Sequence, residues 1–327
     1  MGVFALSFNA KAQDGFEALL LADDADRSKL IGAYINPAMT GLIYGMNSGW
    51  YHTAKVHKPF GFDISIGLNA SVVPESDEMF RFADLNLTSV TSTSSTSPTV
   101  AGPNSPKPLA VVSFQEGGNT YTTQFTMPGG VKDDLPLNAV PTPAVQFSLG
   151  LPGKFEASLR LVPKVGDDDV KGNLFGLGLK KEITSWFGPM EKTPLHVSLL
   201  AAYTSMTVDY NIQNGSSIQG SNQAAEFKLN SYTVQALASL NFPVINLYGG
   251  IGYSSGTSTL KMLGTYQLDY NGGFSRTITD PLNTEFDASG FTTTAGVRLS
   301  LGFFKIFGSY SFQEYNTANL GVAFSIR

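Results

Sequence analysis

Residues Phe62 to Val73 read Phe-Asp-Ile-Ser-Ile-Gly-Leu-Asn-Ala-Ser-Val-Val. Phe62, Ile64, Ile66, Leu68, Ala70 and Val72 are apolar, and the residues between them are polar or Gly. A side-chain period of two places one set on each face of a β-strand. The run is as long as a tilted strand needs to cross a bilayer, roughly 9–11 residues. The pattern returns from Phe291 to Phe303, and again over the last residues, where Leu320, Val322, Phe324 and Ile326 alternate with smaller or polar neighbours. Repeats of this kind predict an all-β chain: a transmembrane antiparallel β-barrel, apolar residues outward to lipid and small or polar residues inward.

Composition separates this from its soluble rival. Charged residues are 14% of the chain, against about 25% in soluble domains. The 34 Gly and 12% aromatics suit small lumen residues and aromatic girdles. A soluble β-sandwich shares the alternation, but its strands usually stop near about 5–6 residues. No apolar run approaches the roughly 18 residues of a spanning helix. A membrane protein of this sequence must therefore close a barrel, because lipid offers no partner to an open strand edge. Cys is absent, which removes disulfides, thiolate metal sites and a Cys nucleophile. The net charge is −5 with no basic stripe, so no nucleic-acid partner is expected.

Residues 1–12 read as the tail of a secretory signal. Val3 to Phe8 is a short apolar stretch, and Ala10-Lys11-Ala12 fits the small-x-small cleavage rule. Asp14 to Ile31 reads as one or two short helices, with the acidic group Asp23, Asp24 and Asp26 at a solvated helix end. Asn36-Pro37-Ala38 is expected to break the helix, since Pro lacks a donor and restricts its neighbour. Gly41 to Lys55 is dense in Gly and aromatics and includes Trp50, Tyr51 and His52. It alternates poorly, so it is expected at the periplasmic end or inside the lumen.

A short N-terminal helical segment, an Asn36-Pro37-Ala38 turn and then a barrel resembles the FadL-like family of outer-membrane barrels, the long-chain fatty-acid transporters and their relatives. Asn47-Ser48-Gly49-Trp50-Tyr51-His52-Thr53-Ala54-Lys55 is similar to a family of uncharacterised Gram-negative outer-membrane barrels. The first resemblance implies a plug over residues 13–59 followed by a barrel over 60–327. It implies plug residues Asn36, Pro37, Ala38, Trp50, Tyr51 and His52.

Counting strands back from the C-terminus, with short periplasmic turns and long outer loops, gives ten clear strands. A hairpin of Leu109–Phe114 and Thr120–Met127 would make twelve, the favoured number, and the FadL-type resemblance fourteen. Long outer loops are expected at 74–108, which is rich in Ser, Thr and Pro, and at 264–289. A change of phase near Asn230-Ser231 points to a bulge. Lys180 to Phe187 does not alternate and reads as a short amphipathic inner helix, with Trp186 and Phe187 at the membrane interface.

Glu156, Arg160, His196 and Arg298 fall on inward phases, where they would select a solute, hold a plug by ion pairs or simply fill the lumen. His52, His57 and His196 could meet at a metal only if the fold gathers them, and no metal site or cofactor is assigned. Asp167-Asp168-Asp169 is read as a solvated loop. No His-Glu-x-x-His or phosphate-binding loop occurs, so no enzyme is expected. The expected function is passive passage of small hydrophobic or amphipathic solutes across the outer membrane. The alternative is a docking barrel with protein partners in a secretion or assembly complex. Bulky inward residues such as Leu200 and Met206 meeting the plug would favour the alternative.

Overall fold

The computed structural model describes residues 16–116, 118–166, 169–212, 218–271 and 273–326. The expected signal segment, and Asp167 and Asp168 of the acidic loop, lie outside the described residues. Ten strands close a ring and are numbered in chain order. They are β1 (Phe62–Val72), β2 (Ala139–Leu151), β3 (Phe155–Gly166), β4 (Val170–Glu182) and β5 (Leu195–Asn211). The second half comprises β6 (Gly220–Asn241), β7 (Ile245–Tyr270), β8 (Leu282–Leu301), β9 (Phe304–Phe312) and β10 (Thr317–Ile326). Each pairs antiparallel with the next, and β10 returns to β1 with Phe62 opposite Ile326 and Ser71 opposite Thr317.

The two faces are inverted relative to a soluble protein. Ile66, Leu320 and Phe291 point outward with 53%, 69% and 83% of their surface exposed, while Asp63, Asn69 and Arg160 are buried inside. This is the arrangement that places an apolar belt against lipid.

The ring has ten strands and not the favoured twelve. Strands Leu109–Glu116 and Asn119–Thr126 join Val90–Ser92 in a separate small sheet, and Met79–Arg81 pairs with Thr96–Pro98. Both sheets belong to the excursion 73–138, at the long-loop mouth. The expected loop at 264–289 is largely strand: β7 runs on to Tyr270 and turns back through Phe274–Thr279 before β8. The irregularity of β6 lies between Ser221 and Ala224. At Asn230-Ser231 the alternation holds, because Asn230 is an outward polar residue that accepts a bond from Tyr203 Oη at 2.8 Å. Lys180 to Glu182 complete β4, and only Thr184–Lys192 is helical, in 3-10 turns; Trp186 and Phe187 there are exposed.

One helix, α1 (Asp24–Asn47), fills the lumen and touches β1, β2, β5, β6, β7 and β8. No helix among the described residues is long and apolar enough to cross a membrane. Asn36-Pro37-Ala38 lies inside α1 and forms no turn. Pro37 removes one helical bond, but burial of the flanking residues holds the helix through it: Tyr34 and Met39 are buried, and the Tyr34 carbonyl accepts from the Val100 amide at 2.8 Å. Beside the wall, Gly41 and Gly45 let α1 approach β2; a Cβ there would collide with Val140 and Thr142.

The start of α1 is tied to the outer layer. Asp23 caps the helix by accepting from the Asp26 amide at 2.9 Å. Asp26 accepts from the amides of Thr88, Ser89 and Val90 at 2.9, 2.7 and 3.1 Å, and from Ser89 Oγ at 2.9 Å. Burial alone would raise its pKa, but these donors outweigh it and hold the carboxyl below the usual range. An unfolded Asp titrates near about 3.9. The tie is therefore whole above that pH and is lost as pH falls through the lower folded value. Asp26→Asn is expected to loosen residues 88–90 at neutral pH by about 2 kcal/mol. Amide exchange there should quicken about thirtyfold; unchanged exchange would show that the tie is dispensable.

Candidate functional site

Past α1 the chain runs as an extended segment, residues 48–61, down to the short-turn mouth, where β1 begins. Its first anchor is Arg160 on β3. The guanidinium donates to the carbonyls of Met46 and Ser48, both at 3.0 Å, and its Nε donates to Gln146 Oε1 at 3.1 Å. A cation at a helix C-terminus satisfies orphan carbonyls and complements the helix dipole. The same guanidinium lies 3.8 Å from the centre of the Trp50 ring. Trp50 fits because Gly176 and Gly178 on β4 leave room for its ring; a Cβ at either would lie 3.0 Å from it. Tyr51 packs edge-on to Tyr248 and donates to Gln235 Oε1 at 3.0 Å.

Residues 52–57 form a polar clasp with the wall. His52 Nε2 lies 3.0 Å from Asp63 Oδ2, and its Nδ1 lies 3.0 Å from Arg298 Nη1. A guanidinium can only donate, so Nδ1 accepts and Nε2–H donates to Asp63. His57 Nδ1 lies 2.8 Å from Glu156 Oε2, whose other oxygen pairs with Lys180 Nζ at 2.7 Å. Glu182 accepts from the Val56 amide at 3.1 Å and bonds His196 Nδ1 at 3.0 Å. The Ala54 amide donates to Ser239 Oγ at 3.1 Å, and Ser198 donates to the Ala54 carbonyl. The clasp thus joins one extended segment to β1, β3, β4, β5, β6 and β8.

The structure brings Trp50, Tyr51, His52, Glu156, Arg160 and Arg298 into one lumen assembly, and places His196 at its edge on Glu182. Asn36, Pro37 and Ala38 stand apart, higher on α1. The three His divide between carboxylates, and no cluster of His, Asp and Glu among the described residues could hold a metal. Sequence reading did not single out Asp63, Lys180, Glu182 or Gln146. The signal for Asp63 was its inward phase on the first strand. Lys180 and Glu182 were obscured because Lys181 between them breaks the apolar alternation.

A polar cavity beside Gly49, Tyr51 and Gln235 holds about 10 Å³, room for about one water. Leu200 packs with Trp50 and Tyr51, and Met206 with Ile43, Tyr44 and Met46. A larger cleft of about 360 Å³ opens at the long-loop mouth, between α1, β8 and the segment 76–85.

Among solved structures the chain is similar to Ail, the attachment invasion locus protein of Yersinia pestis. Identity is 10% over 82% of this chain and all of that one, with a TM-score of 0.29. The translocator domain of the autotransporter NalP from Neisseria meningitidis matches at 10% identity over 95% of this chain and 99% of its own, with a TM-score of 0.31. The outer membrane protease OmpT from Escherichia coli matches at 9% identity over 84% of this chain and all of its own, with a TM-score of 0.29. No curated protein matches the sequence. Residues 1–326 match the model of DUF6588, a family of unknown function, and the chain belongs to that family.

Proposed function

We propose that this protein is a non-catalytic docking barrel of the Gram-negative outer membrane, shut by its own N-terminal segment. The reading rests on one observation: α1 and the clasp run through the lumen, and the polar cavity between them and the wall holds about 10 Å³. Short turns mark the periplasmic end and long excursions the outer end. By that rule the layer formed by residues 73–138 and the tall hairpin of β7 faces the cell exterior. Excursions of this length in a compact chain usually serve a function. Extraction in mild detergent with cross-linking should recover a stoichiometric protein partner, and deletion of residues 79–127 should abolish it. Recovery of the intact chain alone would count against docking.

A second reading is capture of a small amphipathic solute. The cleft of about 360 Å³ favours it, being within the usual range of ligand pockets, about 300–1,000 Å³. Passage beyond the cleft would require α1 to move.

A further inference from the structure

The cleft lies at a lateral break in the wall. β8 pairs with β7 from Leu282 onward, but β9 reaches only as far as Thr293, opposite Phe312. Residues 282–292 of β8 therefore keep one edge unpaired by the ring. Pro37 lines the cleft from the helix side, with Ala33 one turn before it. Pro has no amide hydrogen, so the Ala33 carbonyl lacks its usual helical donor. Asp77 supplies a carboxylate from the covering segment, and the exposed Glu285 a second one from β8. The Asp77 oxygens accept from Ser76 Oγ at 2.9 Å and from Tyr315 Oη, and no basic side chain is paired with them among the described residues. Phe80 and Phe286 supply apolar walls, and no Lys, Arg or His lines the cleft.

We propose that this cleft binds a small amphiphile whose head donates hydrogen bonds, an organic ammonium rather than a carboxylate. The apolar body lies against Phe80 and Phe286, and the head meets the Ala33 carbonyl and Asp77. An aromatic ring in contact with a cation adds attraction. A carboxylate head would face Asp77 with no cation to offset the repulsion. The proposal goes beyond docking and holds whether or not the ligand is carried onward. It also gives the solute-capture reading a selectivity opposite to that of a fatty-acid site.

The test uses the full chain purified in neutral detergent and three water-soluble probes of one shape: benzylammonium, benzyl alcohol and benzoate. Saturation-transfer NMR should give benzylammonium an affinity about tenfold above that of benzoate, which is about 1.4 kcal/mol. Asp77→Asn should narrow the difference, with Glu285 left in the lining. A Cβ at Gly32 would lie 3.8 Å from Thr284 Cγ2, so Gly32→Leu should fill the cleft without moving backbone and abolish binding. If Gly32→Leu does not fold, Phe80→Ala, outside the ring, replaces it and should weaken every probe. Benzoate binding as tightly as benzylammonium would overturn the proposal. So would saturable binding that neither cleft variant changes, or no saturable binding at all.

Discussion

A chain lacking residues 16–58 is expected to conduct ions in a planar bilayer, where the intact protein is silent. With about eight strands, side chains alone fill a barrel. This ring has ten, and it faces its lumen with small residues such as Ser65, Ser158, Gly176, Gly178 and Ser231. What they leave is the width of a helix with its side chains, about 10–12 Å. Every ring strand pairs with two ring neighbours, so the wall does not need α1 for its backbone bonds. The vacated lumen is polar, with Asn69, Gln146, Thr233 and Gln235 on its lining, and water would enter it. The control is heat-modifiable migration on gels, which reports that the ring has formed. A folded but silent deletion chain would mean that the layer 73–138 closes the mouth unaided.

The clasp carries the second large effect. Lys180→Met is expected to destabilise the protein by about 3–5 kcal/mol, because it strands Glu156 without its cation. Both partners are buried, with side chains about 5% exposed. Their contact of 2.7 Å is the only one that Lys180 makes to a carboxylate among the described residues. Glu156→Gln together with Lys180→Met should recover most of the loss, since an amide and a thioether leave no unpaired charge. The measurement is the denaturant midpoint of the heat-modifiable band for the two single variants and the double. Additive losses would refute coupling between them.

The barrel was legible because its code is local. Alternation at Phe62–Val72 and Phe291–Leu301 needs only neighbouring residues to be read, and in both it matches the observed faces. The excursion 73–138 was harder. Leu109–Glu116 and Asn119–Thr126 form the expected hairpin, but it is joined by Val90–Ser92 instead of a ring strand, which no local pattern announces. Pro37 misled in the opposite direction. Its local rule breaks a helix, while lumen packing and the Val100 amide sustain one. For the site, inward phase was enough to find Glu156, Arg160, His196 and Arg298. Their partners could not be read. Arg160 meets Met46 across 114 positions and Arg298 meets His52 across 246.

The path of the N-terminal segment also constrains the order in which this molecule can be assembled. Residues 16–47 begin at the long-loop mouth and descend, yet the ring they occupy is sealed by its first and last strands. A ring zipped shut early would have to be threaded by a bulky helix through a narrow bore. Closure around a helix already in position avoids that barrier. Two contacts of the last strand are suited to sense the difference. Asn319 donates to Asn69 at 2.7 Å, while Asn69 donates to the Gly45 carbonyl at 3.0 Å; Ser325 lies 3.2 Å from His57. Both chains of contact are complete only when the helix and the segment after it are seated, so the final strand locks best onto a filled bore.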